Sequence, residues 1–287
     1  MRKENTTLAI VFSLGASLTY AVLAFLVKYA EQFLPNAVLI FFRQLFGLLF
    51  LMPIIPIRLG SIKALKTKVF PYHLLRTFAS LSSMFCLYYA LRYLPLTDAV
   101  LLSYTRPLFI PIIVYFWFNY KWTKDTYLGL IIGFLGIVMI LNVKTISFNA
   151  ASLGALAAAF LGAIAFTTIR HLTKTDPPER ITFYYVALSL PLALFPLRTN
   201  WQMPNFHGWV LLMILGALAL FYQLLLSRAY RYAKAVKVGS LLYFSVFFAY
   251  LIDIFNGKKT FSISVVVGII LIILGSVITL KGQRKIR

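Results

Sequence analysis

Ser13-Leu14-Gly15-Ala16 returns 139 residues later as Ser152-Leu153-Gly154-Ala155, and this echo decides the fold. The same interval separates Ala90-x-Arg92-Tyr93 from Ala229-x-Arg231-Tyr232, and Gly129 and Gly136 from Gly268 and Gly275. Tyr104 is echoed in the same way by Tyr243. An interval of that length marks a repeated structural unit rather than a local motif. Around the echoes the chain reads as ten apolar segments, near 8–27, 36–57, 71–91, 97–118, 126–143, 151–169, 181–197, 207–227, 235–256 and 262–280. Five fall in each half, which gives a first repeat over 1–145 and a second over 146–287. An odd number of crossings per repeat turns the second half over in the membrane. Inverted repeats that meet at the midplane are the usual construction of secondary transporters.

Composition agrees with membrane burial. The chain is 61% hydrophobic and 12% charged, with a mean hydropathy of +0.86, whereas soluble domains carry roughly 25% charged residues. A helix of about 20 apolar residues crosses roughly 30 Å of hydrocarbon. Lipid offers the backbone no hydrogen-bond partner, so each run must satisfy its own, and these runs lack the alternation of barrel strands. The expected fold class is all-α integral membrane, with ten transmembrane helices arranged as two inverted five-helix repeats.

A net charge of +21 would suggest nucleic acid in a soluble protein. Its distribution suggests lipid instead. Lys28, Arg92, Lys144, Arg198, Lys258 and Lys259 fall on one face of the membrane, and Arg43, Arg76 and Arg106 fall inside spans. Every other Lys and Arg of the 28 lies on the face that carries both termini. Short basic loops stay on the cytoplasmic side, so both termini are expected there, in a multi-pass protein of the cytoplasmic (inner) membrane. Attraction of these loops to anionic lipid accounts for the excess charge, and no nucleic-acid partner is expected. Cys86 is the only cysteine, which excludes an intramolecular disulfide and a cysteine metal cluster. No metal site and no cofactor are expected.

Tyr89-Ala-Leu-Arg-Tyr-Leu-Pro-Leu-Thr-Asp-Ala-Val100, followed by Thr105-Arg-Pro-Leu-Phe109, closely resembles the junction of the third and fourth spans in the drug/metabolite transporter superfamily, EamA type. The ten spans, the five-plus-five repeat and the cytoplasmic termini are similar to that family too. The resemblance implies a permease for a small-molecule substrate, since relatives move amino acids, sugars, nucleotide derivatives and S-adenosylmethionine. Two departures lie in the second half: no proline matches Pro107 near Tyr243, and the ninth span ends Gly257-Lys258 where relatives often read Gly-Glu.

Among residues able to carry transport, Arg106 leads, because it lies about nine residues into its span, near the bilayer centre. A charge there costs about 2.5–3.5 kcal/mol on the most lenient scale, which a carboxylate, helix carbonyls, water or an anionic substrate group must offset. Pro107 and Pro111 remove backbone donors and kink the helix beside Ser103, Tyr104 and Arg106. Ser13, Ser17, Tyr20 and Ala24 share one face of the first span, which marks Ser17 and Tyr20 as pocket candidates. Tyr243, on the polar face of the ninth span, and Arg43 join the set. Tyrosines stack on planar or cationic ligands, and Arg106 can hold a carboxylate, which suits an amino acid or S-adenosylmethionine. Arg76 is close enough to the cytoplasm to snorkel. Asp253 is the one carboxylate within a predicted span, as a coupling group or a structural ion pair. Gly129, Gly133 and Gly136 with Gly268 and Gly275 are expected to pack helices, within the fold or in a homodimer. The alternative is an integral-membrane enzyme or lipid-handling protein. His73, His171 and His207 sit at span ends with no His-Glu-x-x-His arrangement, so no catalytic residues emerge.

Overall fold

A computed structural model of the chain describes residues 5–94, 99, 102–118, 123–141, 149–256 and 263–282. Among these residues the structure is helical, without a strand. The first half contains α1 (Thr6–Ala30), α2 (Asn36–Leu51), α3 (Ile54–Leu59), α4 (Phe70–Tyr93), α5 (Arg106–Phe118) and α6 (Lys124–Leu141). The second contains α7 (Ala150–Leu172), α8 (Pro178–Thr199), α9 (Phe206–Tyr232), α10 (Ala235–Leu241), α11 (Phe244–Phe255) and α12 (Ile263–Gly282). Five of these helices, α1, α4, α7, α8 and α9, are each long and apolar enough to cross a membrane, as is the α10–α11 stretch; α2, α5 and α12 are shorter apolar helices. Asparagines start three of the long helices. The side chains of Asn5, Asn149 and Asn205 accept from Leu8, Ser152 and Gly208 N–H at 3.1, 3.0 and 2.8 Å, satisfying donors the helix leaves free.

Three expected single spans are broken. The second ends at Met52, because Pro53 begins the separate turn of α3. In the fourth, Leu102 and Ser103 are helical, Tyr104 and Thr105 form a turn, and α5 restarts at Arg106. In the ninth the interruption falls at Leu242-Tyr243, where no proline is present. Hydroxyls mark both mid-span breaks: Thr105 Oγ1 donates to Leu102 O at 2.7 Å and Ser245 Oγ to Leu242 O at 2.5 Å. These side chains compete with the helical ladder for the carbonyl.

The helix pairs repeat with the sequence. The 139-residue offset carries α1 onto α7 and α4 onto α9, and α4 packs on α7 as α9 packs on α1. α2 faces its counterpart α8, and α6 faces its counterpart α12. Along this last seam the backbones nearly touch. A methyl group on Gly136 would lie 2.5 Å from Gly268 O, and one on Gly275 would lie 2.5 Å from Gly129 O. The five glycines therefore make a close approach within one chain. Phe116, Phe195, Phe206 and Phe255 project outward, apolar surface of the kind that lipid covers. Inside are two main apolar clusters. One joins α1, α4–α7 and α9–α12, and the other joins α1, α2, α4, α8 and α9.

Candidate functional site

A cavity of about 100 Å³ opens where the two clusters meet. Its deep part is lined by Tyr20, Arg106, Phe166, Tyr222 and Gln223, and it extends to Val27 and Leu91, in the last turns of α1 and α4. It therefore leads away from the basic face that carries Thr6 and Phe70. A smaller space shares Tyr20, Arg106, Phe166 and Tyr222 and adds Ser17, Ser103, Tyr104, Pro107 and Ser245. Both broken helices thus bring their interruptions to one place, the arrangement that transporter sites use at the midplane. Pro111 lies within α5, one turn beyond Pro107.

Arg106 projects across to α7. Its guanidinium carbon lies 4.8 Å over the Phe166 ring, and its buried Nε has no hydrogen-bond partner among the described residues. Gly162 makes the room: a methyl group there would come within 2.5 Å of Arg106 Cζ. Arg43 is buried on the cavity wall, with Nη1 donating to the Tyr88 hydroxyl at 3.3 Å and Nε without a partner among the described residues. Tyr20 meets Tyr104 edge-on at 6.4 Å and tilts against Tyr222 at 5.3 Å. Ser17 Oγ donates to Leu241 O at 3.3 Å, fastening α1 to the end of α10 just before the break. No acidic residue appears among the described residues that line either space.

Several expectations are placed differently. Arg76 does not snorkel: it is wholly buried, donates to Ile181 O at 3.0 Å and Gln223 Oε1 at 2.9 Å, and lies 4.4 Å over the Tyr185 ring. Since Gln223 and Tyr185 line the cavity, Arg76 braces its floor. Tyr243 lines neither space; its ring packs on Gly133, where a methyl group would lie 2.9 Å away. Asp253 falls on α11, and its side chain lies outside what is described. Sequence reasoning missed Tyr88, Gly162, Phe166, Tyr222 and Gln223. The polar pair Tyr222-Gln223 inside an apolar run was the available signal.

Contacts among the described residues tie the basic face together. Asp176, between α7 and α8, accepts from Thr67 Oγ1 at 2.6 Å and Arg180 Nη1 at 2.7 Å, and is hydrogen-bonded to His73 Nε2 at 2.7 Å. Burial alone would raise its carboxyl pKa, but these partners outweigh it and hold the group below the usual carboxylate range. Nearby, Arg180 also donates to Ala64 O, and Arg170 Nη1 donates to Tyr230 O at 2.6 Å. At the other end, Glu31 caps α1. Burial pushes its pKa up to about 7, against the pull of Lys28 and Arg92.

Comparisons with known proteins agree with this architecture. The EamA-like transporter family model matches the chain twice, over residues 7–142 and 149–281. A riboflavin transporter of Vibrio cholerae is 29% identical over 81% of this chain and 79% of its own length. A pseudopaline exporter of Pseudomonas aeruginosa is 29% identical over 86% of this chain and 85% of its own. An S-adenosylmethionine uptake transporter of Rickettsia prowazekii is 24% identical over 90% and 87%. One solved crystal structure shares the fold at a TM-score of 0.81 and 18% identity, covering 96% of this chain and 98% of that one. Two family matches, the paired helix breaks and the cavity between them lead to one conclusion: the chain belongs to the EamA-like transporter family and is a membrane transporter, not an enzyme.

Proposed function

We propose that this transporter carries a small polar metabolite with a carboxylate group, an amino acid or amino-acid derivative, across the cytoplasmic membrane by alternating access. The observation that supports it best is Arg106, a midspan guanidinium beside two helix breaks whose Nε has no hydrogen-bond partner among the described residues. A carboxylate in the cavity would meet the terminal nitrogens of this guanidinium and offset the cost of the buried charge. Tyr20, Tyr104 and Tyr222 would flank the rest of the molecule. Relatives named for riboflavin, pseudopaline and S-adenosylmethionine support a small-molecule substrate without choosing one. With the basic face cytoplasmic, the present state has its cavity directed outward, and rocking of one repeat against the other would reverse it.

Counterflow in proteoliposomes tests the reading, using labelled amino acids, S-adenosylmethionine, nucleotides, sugars and aromatic cations. One class should accumulate, and Arg106→Ala should lower its flux at least tenfold with the fold intact. Undiminished flux in that variant would remove Arg106 from the site. If no compound moved while lipid scrambling was positive, a lipid-handling protein would be the better account.

A further inference from the structure

The cavity has a charge that its described lining does not balance. Arg43 and Arg106 both face it, and no described lining residue is acidic. A guanidinium does not give up its proton within a protein, so both charges persist whatever the surroundings. Arg43 is 8% exposed, and the buried Nε atoms of both side chains lack a partner among the described residues. Directly beneath, Arg76 uses its terminal nitrogens on Ile181 and Gln223 and adds a third positive charge to the floor. Each helix break brings a helix start and a helix end to the smaller space, through Arg106 and Ser103 on one side and Ser245 and Leu242 on the other, so their dipoles oppose and leave the guanidiniums as the net charge.

The aromatic walls do not reverse this. A ring face attracts cations, but the Phe166 face already holds Arg106 at 4.8 Å and the Tyr185 face holds Arg76 at 4.4 Å. An incoming ammonium or sulfonium group would meet guanidiniums on those faces. A zwitterion would neutralise one of them and set its own cation against the other. A single ligand with two negative charges balances the pair.

We infer that the transported species is a small organic dianion, with one acidic group held by Arg106 and the other by Arg43 beside the Tyr88 hydroxyl. The inference rests on the transporter site proposed above and narrows its amino acids and derivatives to those that carry two acidic groups and no free ammonium, such as an N-acylated acidic amino acid. Tyr20 and Tyr222 then flank the uncharged spacer.

The test uses four probes on one skeleton: phenylsuccinate (dianion), 3-phenylpropionate (monoanion), phenylalanine (zwitterion) and phenylethylamine (cation). Their half-saturating concentrations are read from thermal stabilisation of the purified full chain in detergent. Phenylsuccinate should bind at least tenfold more tightly than 3-phenylpropionate, with the other two weaker still. Arg43→Gln should cost the dianion about tenfold, the worth of one charge-assisted contact, and leave the monoanion within about twofold. Arg43→Lys should recover part of the loss. Should the glutamine variant not fold, the ranking on the unaltered chain decides alone. Phenylalanine or the amine binding as tightly as phenylsuccinate overturns the dianion and leaves the site standing. Binding by none of the four, or ranking unchanged in Arg106→Ala, overturns both.

Discussion

Arg106 owes its position to an absent side chain. Gly162 on α7 leaves the space that the guanidinium fills, so the strongest requirement for glycine at the site comes from a neighbour rather than from its own backbone. Gly162→Ala should therefore displace Arg106 while costing only about 1–3 kcal/mol in overpacking. The expected outcome is a modest fall in melting temperature with flux lowered as far as in Arg106→Ala; normal flux would mean that Arg106 works from another rotamer. Glu31 offers a second residue-level test. Its pKa, raised from 4.5 to about 7, means the folded protein holds a proton that the unfolded chain has released. Stability should then fall as pH rises from about 4.5 to about 7 and level off above. Glu31→Gln should flatten that slope and melt higher than the parent at pH 8; parallel melting curves across pH would disprove the raised value. Residue types singled out Arg106 and Tyr20, and both line the cavity. They did not announce Gly162, whose role depends on a helix that lies next to it only after folding, and they misplaced Tyr243, whose ring turns toward Gly133.

Elements were more legible than residues, because apolar length and the 139-residue echo constrain them directly. The breaks were legible in part. Pro53 and Pro107 signal interruptions by removing backbone donors, but the ninth span breaks at Leu242-Tyr243 with only Ser245 to compete for a carbonyl. A hydroxyl is a weak signal, since Thr168 makes a similar bond to Ile164 O inside unbroken α7. The repeat carries a signal that the local sequence lacks: Tyr243 echoes Tyr104, and both stand in a break, although the ninth span is expected from sequence to be continuous. The α6–α12 seam gives the element-level prediction. A methyl group on Gly275 would meet Gly129 O and Gly133 N at 2.5 Å and Gly133 Cα at 2.8 Å, all backbone that cannot rotate away. Gly275→Ala should force the helices apart and lower stability by about 3 kcal/mol. Gly15→Ala meets only the Leu225 tip at 3.4 Å and should cost well under half as much. Equal melting temperatures for the two variants would show that the seam is not tight.

At the scale of the whole molecule, a transporter needs contacts that exist in one state and break in the other. The cavity leads away from the basic face, so the contacts that close that face are the ones to break. Asp176 joins three segments there: Thr67 before α4, His73 within α4 and Arg180 in α8. Its low pKa keeps this junction charged; the stability it supplies is present above the unfolded value of 3.8 and lost only as pH falls below it. The Arg180 contact is local (i, i+4) and holds in either state, but the bonds to Thr67 and His73 reach another segment, and losing two hydrogen bonds to a charged carboxylate costs about 3 kcal/mol. In a two-state transporter that cost falls on the closed-basic-face state alone, and about 3 kcal/mol corresponds to roughly a hundredfold shift in population. Asp176→Asn should therefore favour the state open to the basic face. The shift can be read with Ser103→Cys placed in a Cys86→Ser background and labelled by a membrane-impermeant maleimide. Labelling from the basic face should accelerate about tenfold or more when Asp176→Asn is added, and labelling from the opposite face should slow. If melting temperature fell while both labelling rates held, Asp176 would be a static brace and the moving closure would lie elsewhere, with Arg170 on Tyr230 O the next contact to cut.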